Sequence, residues 1–329
     1  MTLSDTAMLM TSTYDMPPRR TNATGEQRGV GVEIEFSGLS VEEASEALNN
    51  ALGGHLVQKD SFAYTLKKSD LGEIKIKLDS RLAHKDGEPR KAGALSAIGE
   101  AIGEWFAFVA EPIIPGEIVT GPIPVEDLPR IDKVTDALRD AGAEGVSKDN
   151  YRPLALHLNP EIPDTSPETV MALIKAFAMM DGWLREQAEP DRVREMMNYF
   201  RPYPDDYVAK IADPAYWPAM DTLIDDYIAA NPTRDRDLDM LPLLRFLDED
   251  RVVSQLPDEK IGCRPTSHYR LPDSRIGDPG WSVATVWNKW VVVERVADDC
   301  QTLDALCKAY LATGDKSVWP RQAERIALG

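Results

Sequence analysis

Residues 30–37 alternate apolar and polar side chains without interruption. Successive side chains of a β-strand point to opposite faces, so this segment predicts a strand with one apolar and one polar face. Glu33 and Glu35 would lie on the polar face, roughly 7 Å apart at the rise of a strand. No Lys or Arg lies within the segment. Two like charges at this spacing favour a cation between them, and a hard divalent metal bound through oxygen fits that requirement.

Three further segments show the same alternation: residues 73–79, 154–159 and 266–271. The polar positions of the second segment include His157 and Asn159, and those of the third include His268 and Arg270. These side chains bind metals, donate amide hydrogen bonds or bind anions, whereas solvated strand faces favour Thr, Lys, Glu and Gln. We therefore interpret the polar face as a catalytic surface. A face that is simply in contact with water stays open as the alternative, above all for residues 73–79.

Helical patterns lie between and beyond these segments. Ser40 and Glu43 form a capping box that predicts the start of a helix, and the pair Gly53-Gly54 predicts its end. Ser166-Pro167 predicts the start of a long helix. Further helices are predicted over residues 95–110, 128–141, 217–229, 281–297 and 302–313, and the Pro-rich residues 112–129 are predicted to be an extended connection. The pattern favours an α+β fold in a single domain over residues 28–329, preceded by a flexible tail over residues 1–27.

Composition excludes several classes of partner. The net charge of −18 argues against attraction to nucleic-acid backbones or anionic membranes. No apolar run approaches the ~20 residues of a membrane span, and the N-terminus lacks the pattern of a secretory signal. The three cysteines form no Cys-x-x-Cys pair, and their odd number does not indicate a disulfide scaffold. We expect a cytoplasmic protein with neither nucleic acid nor membrane as a partner; the oligomeric state is not indicated.

Residues 231–242 form a predicted loop that carries Arg234 and Arg236 in an otherwise acidic chain. One interpretation is a pair of guanidinium groups that bind phosphate oxygens, because a guanidinium can donate two parallel hydrogen bonds. Arg264 and Arg270 would add to such a positive pocket. The alternative is local pairing with the aspartates of the same loop, which are Asp235, Asp237 and Asp239.

Four segments together resemble the amidoligase family, a branch of the carboxylate–amine ligases related in fold to glutamine synthetase and the glutamate–cysteine ligases. They are residues 28–36 (RGVGVEIEF), 156–160 (LHLNP), 231–242 and 264–272 (RPTSHYRLP). The resemblance implies a curved, mainly antiparallel sheet with helices packed on one face and an open polar catalytic face. It also implies ATP-dependent formation of an amide or peptide-like bond, with Mg²⁺ or Mn²⁺ bridging the nucleotide phosphates.

Carried over to this chain, the resemblance makes Glu33 and Glu35 metal ligands and places Arg270 against phosphate. His157 and Asn159 would lie at the edge of the metal, phosphate or substrate site. Arg234 and Arg236 would help to bind an anionic group. His157 or His268 could also accept the proton of the amine if its pKa lies near the working pH.

Two positions depart from the family pattern. His268 stands where relatives often have a glutamate, and it can ligate a metal as a softer ligand. Lys77 stands where the first of two spaced acids is expected, so it could contact phosphate directly; Asp79 remains as an expected metal ligand.

The sequence leaves three functions open. The first is an ATP-dependent ligase that joins a small-molecule or peptide carboxylate to an amine through an acyl phosphate. The second is a non-catalytic module that binds a nucleotide or peptide on the same fold, which Lys77 and His268 favour. The third is a metal-dependent hydrolase, although no His-Glu-x-x-His motif is present.

Overall fold

One antiparallel sheet organises the protein. The computed structural model describes residues 13–78, 115–146, 154–188 and 200–329. In these ranges the strands are β1 (Gly29–Phe36), β2 (His55–Asp60), β3 (Ala63–Ser69), β4 (Gly72–Leu78), β5 (Gly116–Thr120), β6 (Ile123–Pro124), β7 (Leu156–Pro160), β8 (Leu238–Asp239) and β9 (His268–Tyr269). Their order in the sheet is β2-β3-β4-β5-β1-β7-β9-β8, and β6 pairs with the start of β1. Every pairing is antiparallel.

Ten α-helices accompany the sheet in the same ranges. They are α1 (Val41–Leu52), α2 (Asp132–Ala141), α3 (Pro167–Ala188), α4 (Asp205–Ile211), α5 (Met220–Ala230), α6 (Leu241–Leu247), α7 (Glu249–Gln255), α8 (Ala284–Asp298), α9 (Cys300–Ala312) and α10 (Trp319–Leu328). Short 3-10 helices cover Leu128–Ile131 and Lys316–Val318. Within the described ranges, no helix combines the length and the apolar character that a membrane span requires.

The predicted helix starts are confirmed by their caps. At α1 the Ser40 hydroxyl accepts a hydrogen bond from the Glu43 N–H, and the Glu43 carboxylate accepts one from the Ser40 N–H. At α3 the Ser166 hydroxyl accepts a hydrogen bond from the Thr169 N–H, and Pro167 is the first helical residue. These bonds satisfy backbone donors that the first turn of a helix leaves without partners.

The apolar face of the sheet forms the core, as the alternation predicted. The four apolar side chains of β1 are completely buried: Val30, Val32, Ile34 and Phe36. The apolar residues of α1 pack on β3 and β4. At the other end of the sheet, Tyr269 of β9 lies opposite Leu158 of β7 and contacts Phe177 of α3 and Trp290 of α8. Helices therefore cover this face of the sheet along most of its width.

Several elements differ from the sequence-based expectations. Residues 116–124, predicted as part of an extended connection, form β5 and β6, and β5 lies between β4 and β1. The segment Gly-Glu-Ile-Val-Thr does not alternate strictly, but its three β-branched residues suit a pleated sheet. The predicted loop 231–242 contains β8, whose two residues pair with β9. The predicted helix over residues 95–110 and the candidate ligand Asp79 lie outside the described residues.

The N-terminal segment is held against the body of the protein. Tyr14 is 6% exposed, and its hydroxyl donates a hydrogen bond to Asp132. Further along, Arg19 forms an ion pair with Asp164 at 2.7 Å. These contacts argue against a flexible tail over residues 13–27. The single domain over residues 28–329 stays a prediction.

Gly116→Ala tests how closely β5 packs on β1. A Cβ atom at residue 116 would lie 2.2 Å from Cζ of Phe36, and that ring is completely buried. We expect the substitution to lower the free energy of unfolding by about 1–3 kcal/mol, because the core must shift to admit the methyl group. Urea denaturation measures the change. The control is Gly121→Ala, where the nearest atom would be 3.6 Å away; equal losses in both variants would contradict the packing explanation.

Candidate functional site

Three neighbouring strands bring Glu33, His157 and His268 together. Glu33 of β1 lies directly opposite His157 of β7, and β9, which carries His268, pairs with the other edge of β7. Nδ1 of His157 is 3.1 Å from Oε2 of Glu33, and Nε2 of His268 is 3.9 Å from the same oxygen. One donor atom from each residue lies within 4.8 Å of the other two. We call these three residues the histidine–carboxylate cluster.

Asn159 orients the carboxylate of this cluster. Its side-chain amide donates a hydrogen bond of 3.0 Å to Oε1 of Glu33. Asn159 lies opposite Gly31, and a Cβ atom at Gly31 would come within 3.3 Å of the Asn159 Cβ. The glycine therefore leaves room for the amide, and Oε2 of Glu33 is left facing the two imidazoles.

Asp239 and Arg234 lie behind His268. Asp239 of β8 is opposite His268 in the sheet, and its Oδ2 is 3.6 Å from Nδ1 of the imidazole. Arg234 donates a hydrogen bond of 3.1 Å from Nε to the same carboxylate oxygen. Burial opposes ionisation of Asp239, but the neighbouring His268 and Arg234 keep its pKa below the ordinary value. The completely buried carboxylate is thus held as an anion beside the histidine.

The charge states of the cluster follow from its surroundings. Burial acts to raise the pKa of Glu33, but the hydrogen bond to His157 and the nearby imidazole of His268 lower the pKa well below the ordinary value. Burial lowers the pKa of His268 despite the attraction of Asp239 and Glu33. At neutral pH the cluster therefore holds an ionised carboxylate and a neutral His268, which are the forms that bind metal ions.

His268 also has a buried nitrogen without a partner. Its side chain is 2% exposed, and Nε2 accepts or donates no hydrogen bond within the described part of the chain. A buried polar atom in this condition costs free energy and calls for a specific explanation. The nitrogen lies 3.9 Å from Oε2 of Glu33.

Glu35 belongs to an adjacent row of the sheet, meaning the side chains that lie opposite one another across β1, β5 and β4. It lies opposite Glu117 of β5, which lies opposite Lys77 of β4. The Lys77 ammonium is 2.5 Å from the Glu117 carboxylate, while the Glu35 carboxylate accepts a hydrogen bond of 2.8 Å from the Ala155 N–H. Glu33 and Glu35 share a strand face, as predicted, but they contact different partners. Sequence reasoning missed Glu117, although the β-branched residues 118–120 that follow it indicate a strand.

The arginines of the 231–242 loop contact protein groups. Arg234 pairs with Asp239, which agrees with the alternative of pairing within the loop rather than phosphate binding. Its Nη2 also lies 3.4 Å from Nδ1 of His268. Arg236 donates hydrogen bonds to the carbonyls of Pro202 and Ala230, so it stabilises the loop. Within the described residues, Arg236 has no contact with the cluster. Arg270 binds the carbonyl of Arg234 and lies 3.3 Å from Asp235.

The site is more enclosed than the sequence suggested. His157, His268 and Arg270 are each 2% exposed, Asn159 is 4% exposed, and the Glu33 side chain is 12% exposed. The expectation of an open polar face therefore does not hold at these residues. Low exposure strengthens every electrostatic interaction among these side chains, because water screens them less.

The sheet and the cluster define an α+β protein with an enclosed histidine–carboxylate site. Comparison with protein families identifies the family of this chain. The family described as "putative amidoligase enzyme" matches residues 26–292, and the chain belongs to it. The match includes every residue of the cluster. No curated protein and no solved structure matches the chain significantly. A likeness to the glutamine synthetase fold therefore stays a prediction.

Glu33→Gln tests the charge state of the cluster. The pKa of Glu33 is lower in the folded protein than its ordinary value of 4.5, so its ionised form stabilises the fold above that pH. The stability advantage of the wild type over Glu33→Gln should be largest near neutral pH and should shrink as the pH falls below the ordinary value. Urea denaturation at a series of pH values, with a chelator present, measures the difference.

The matched control for this measurement is Glu73→Gln, the same change at an exposed strand residue. A difference between wild type and Glu33→Gln that does not vary with pH would contradict the assignment of an ionised Glu33.

Proposed function

We propose that this protein is an ATP-dependent ligase that joins a carboxylate to an amine through an acyl phosphate. Membership of the amidoligase family supports the formation of an amide bond. The observation that carries the proposal is the enclosed cluster within the matched region, with Arg234 and Arg270 beside it in a chain of net charge −18. Both guanidinium groups are balanced by carboxylates, Arg234 by Asp239 and Arg270 by Asp235, so an anionic substrate would compete with these carboxylates for the arginines.

The proposed chemistry explains why the site must hold anions. A carboxylate is inert towards amines because its leaving group would be oxide. One carboxylate oxygen attacks the terminal phosphorus of ATP, and ADP leaves. The amine then attacks the acyl carbon, loses a proton, and expels phosphate that carries the original carboxylate oxygen. The first step brings two anions together, and the second develops negative charge on the acyl oxygen and on the departing phosphate, so preorganised cations should contribute most of the catalysis.

The chain offers two cations for this role. Arg270 is anchored by the Arg234 carbonyl and by Asp235, which fixes its guanidinium beside the cluster. We propose that Arg270 contacts a phosphate, and that Lys77, which forms an ion pair with Glu117, contributes charge from the adjacent row. Asn159 would keep the Glu33 carboxylate in position. His157 or His268 can accept the amine proton only where that histidine is not bound to a metal.

The metal implied by the family resemblance fits this cluster poorly. Mg²⁺ prefers an octahedral shell of oxygen atoms, and Mn²⁺ also favours carboxylate, carbonyl and water ligands. The cluster offers one carboxylate and two imidazoles. Glu35 and Glu117 form a neighbouring carboxylate pair, but Lys77 already contacts Glu117. We therefore assign no step of the reaction to Mg²⁺ at the cluster.

A metal-dependent hydrolase is the second candidate, and one observation favours it. Two histidines and one glutamate are the protein ligands of zinc in several peptide hydrolases. The sequence lacks their usual helical motif, but the sheet brings the same donor set together from three strands. Such a site would cleave an amide bond without consuming ATP.

A trapping assay distinguishes the candidates. The full chain is incubated with ATP, a divalent metal and a panel of amino acids as carboxylates, with hydroxylamine as the amine. A ligase should release ADP and phosphate in step with hydroxamate, and a carboxylate labelled with ¹⁸O should transfer label to phosphate. Hydrolysis of amides without ATP would favour the hydrolase, and ATP-induced thermal stabilisation without turnover would favour the binding module.

Arg270→Lys tests the phosphate contact in the same assay. Lysine keeps the charge but loses the planar pair of donors, so we expect turnover to fall by about 10²-fold, as for loss of one preorganised donor. The control is Arg321→Lys at an exposed position of α10, which should leave turnover unchanged. Equal activity of the two variants would exclude Arg270 from the reaction.

A further inference from the structure

We infer that the histidine–carboxylate cluster is a binding site for a divalent transition-metal ion of the zinc class, and that it discriminates against Mg²⁺. The inference goes beyond the proposed function, because it concerns which metal the cluster holds and applies whichever reaction the protein performs. It rests on the separation of the donor atoms, on the buried nitrogen of His268 and on the residues that orient the donors.

The donor atoms are already close to the spacing that a metal would impose. With metal–ligand distances of about 2.0–2.2 Å in a tetrahedral shell, neighbouring donors lie roughly 3.4 Å apart. The Glu33 oxygen is 3.1 Å from the His157 nitrogen and 3.9 Å from the His268 nitrogen. These two separations lie on either side of the tetrahedral value. All three donors lie within 4.8 Å of one another, so side-chain rotations that also bring the two histidine nitrogens closer would place them around one ion.

A network of hydrogen bonds alone does not explain why the Nε2 atom of His268 is buried without a partner. The contact between His157 and Glu33 is satisfied without a metal. Nε2 of His268, in contrast, is buried and has no hydrogen-bond partner within the described residues. An ion between this nitrogen and Oε2 of Glu33 would give the nitrogen a partner. The buried nitrogen thus favours a metal site over a purely structural network.

The residues behind the donors resemble the outer shell of a metal site. Metal-bound histidines commonly present their second nitrogen to a carboxylate, which fixes the orientation of the ring. Oδ2 of Asp239 lies 3.6 Å from Nδ1 of His268, on the side away from the cluster, and Nη2 of Arg234 lies 3.4 Å from the same nitrogen. In a metal-bound His268 the Nδ1 N–H would donate to Asp239, which must then approach to hydrogen-bond distance, while Arg234 keeps its ion pair with Asp239. Asn159 binds Oε1 of Glu33, which leaves Oε2 for the ion. Both donors are therefore oriented towards a common point.

The chemistry of the donors decides the metal class. Imidazole nitrogen suits Zn²⁺, Cu²⁺, Ni²⁺ and Fe²⁺, whereas Mg²⁺ retains oxygen ligands and water. A donor set with a single carboxylate also supplies little negative charge for a hard cation. Three protein ligands leave a fourth position for water or substrate, as in catalytic rather than structural zinc sites.

Metal titration of the chelator-treated full chain tests the inference. Isothermal titration calorimetry and elemental analysis should show a single equivalent of Zn²⁺ bound, and excess Mg²⁺ should not displace it. His268→Gln and Glu33→Gln each remove a ligand and should lower the zinc affinity most. Asp239→Asn should lower it by about 10–100-fold, as for other outer-shell changes. The control His55→Gln alters an exposed histidine and should bind like the wild type.

A second measurement needs no variant and remains decisive if a substitution prevents folding. X-ray absorption of the wild-type protein loaded with Co²⁺ should show imidazole scattering from two ligands. Absence of stoichiometric zinc binding, displacement by Mg²⁺, a coordination shell without imidazole, or unchanged affinity in a folded His268→Gln variant would each overturn the inference. Zinc binding without ATP turnover would contradict only the proposed ligase function. ATP turnover without zinc binding would contradict only the assignment of the metal.

Discussion

A carboxylate enclosed within a sheet needs compensating partners, and Glu33 imposes this requirement on its surroundings. The partners come from two other strands: His157 and Asn159 from β7, and His268 from β9. Their positions depend on the antiparallel register that sets Glu33 opposite His157. A shift of that register by one residue would turn these side chains into the core and the leucines of β7 away from it. The burial of the apolar face therefore also fixes the site.

The enclosure of the cluster changes what its residues can do. Burial lowers the pKa of His268, and its neighbours lower the pKa of Glu33. Both residues are therefore held in the charge states in which they bind a metal ion. The donor set of one carboxylate and two imidazoles suits a softer cation than a set made only of oxygen atoms would.

Local patterns predicted much of the framework and some of the site. The alternation of residues 30–37 predicted β1 and its faces, and the caps at Ser40 and Ser166 predicted two helix starts. The same reasoning missed β5, because residues 116–120 lie among prolines and do not alternate strictly. It also treated Arg234 and Arg236 as equivalent, since both lie in one loop. In the structure Arg234 reaches Asp239 and His268, while Arg236 binds backbone carbonyls.

The sequence by itself determined which side chains share a face, because the period of a strand is a local property. It thereby placed Glu33 with Glu35, and His157 with Asn159. Only the tertiary structure decided which of these residues meet across strands, because strand order and register depend on contacts between distant segments. It joined Glu33 to His157 and His268, and it left Glu35 beside Glu117. The depth of burial, which sets the charge states, likewise arises only when the whole sheet is assembled.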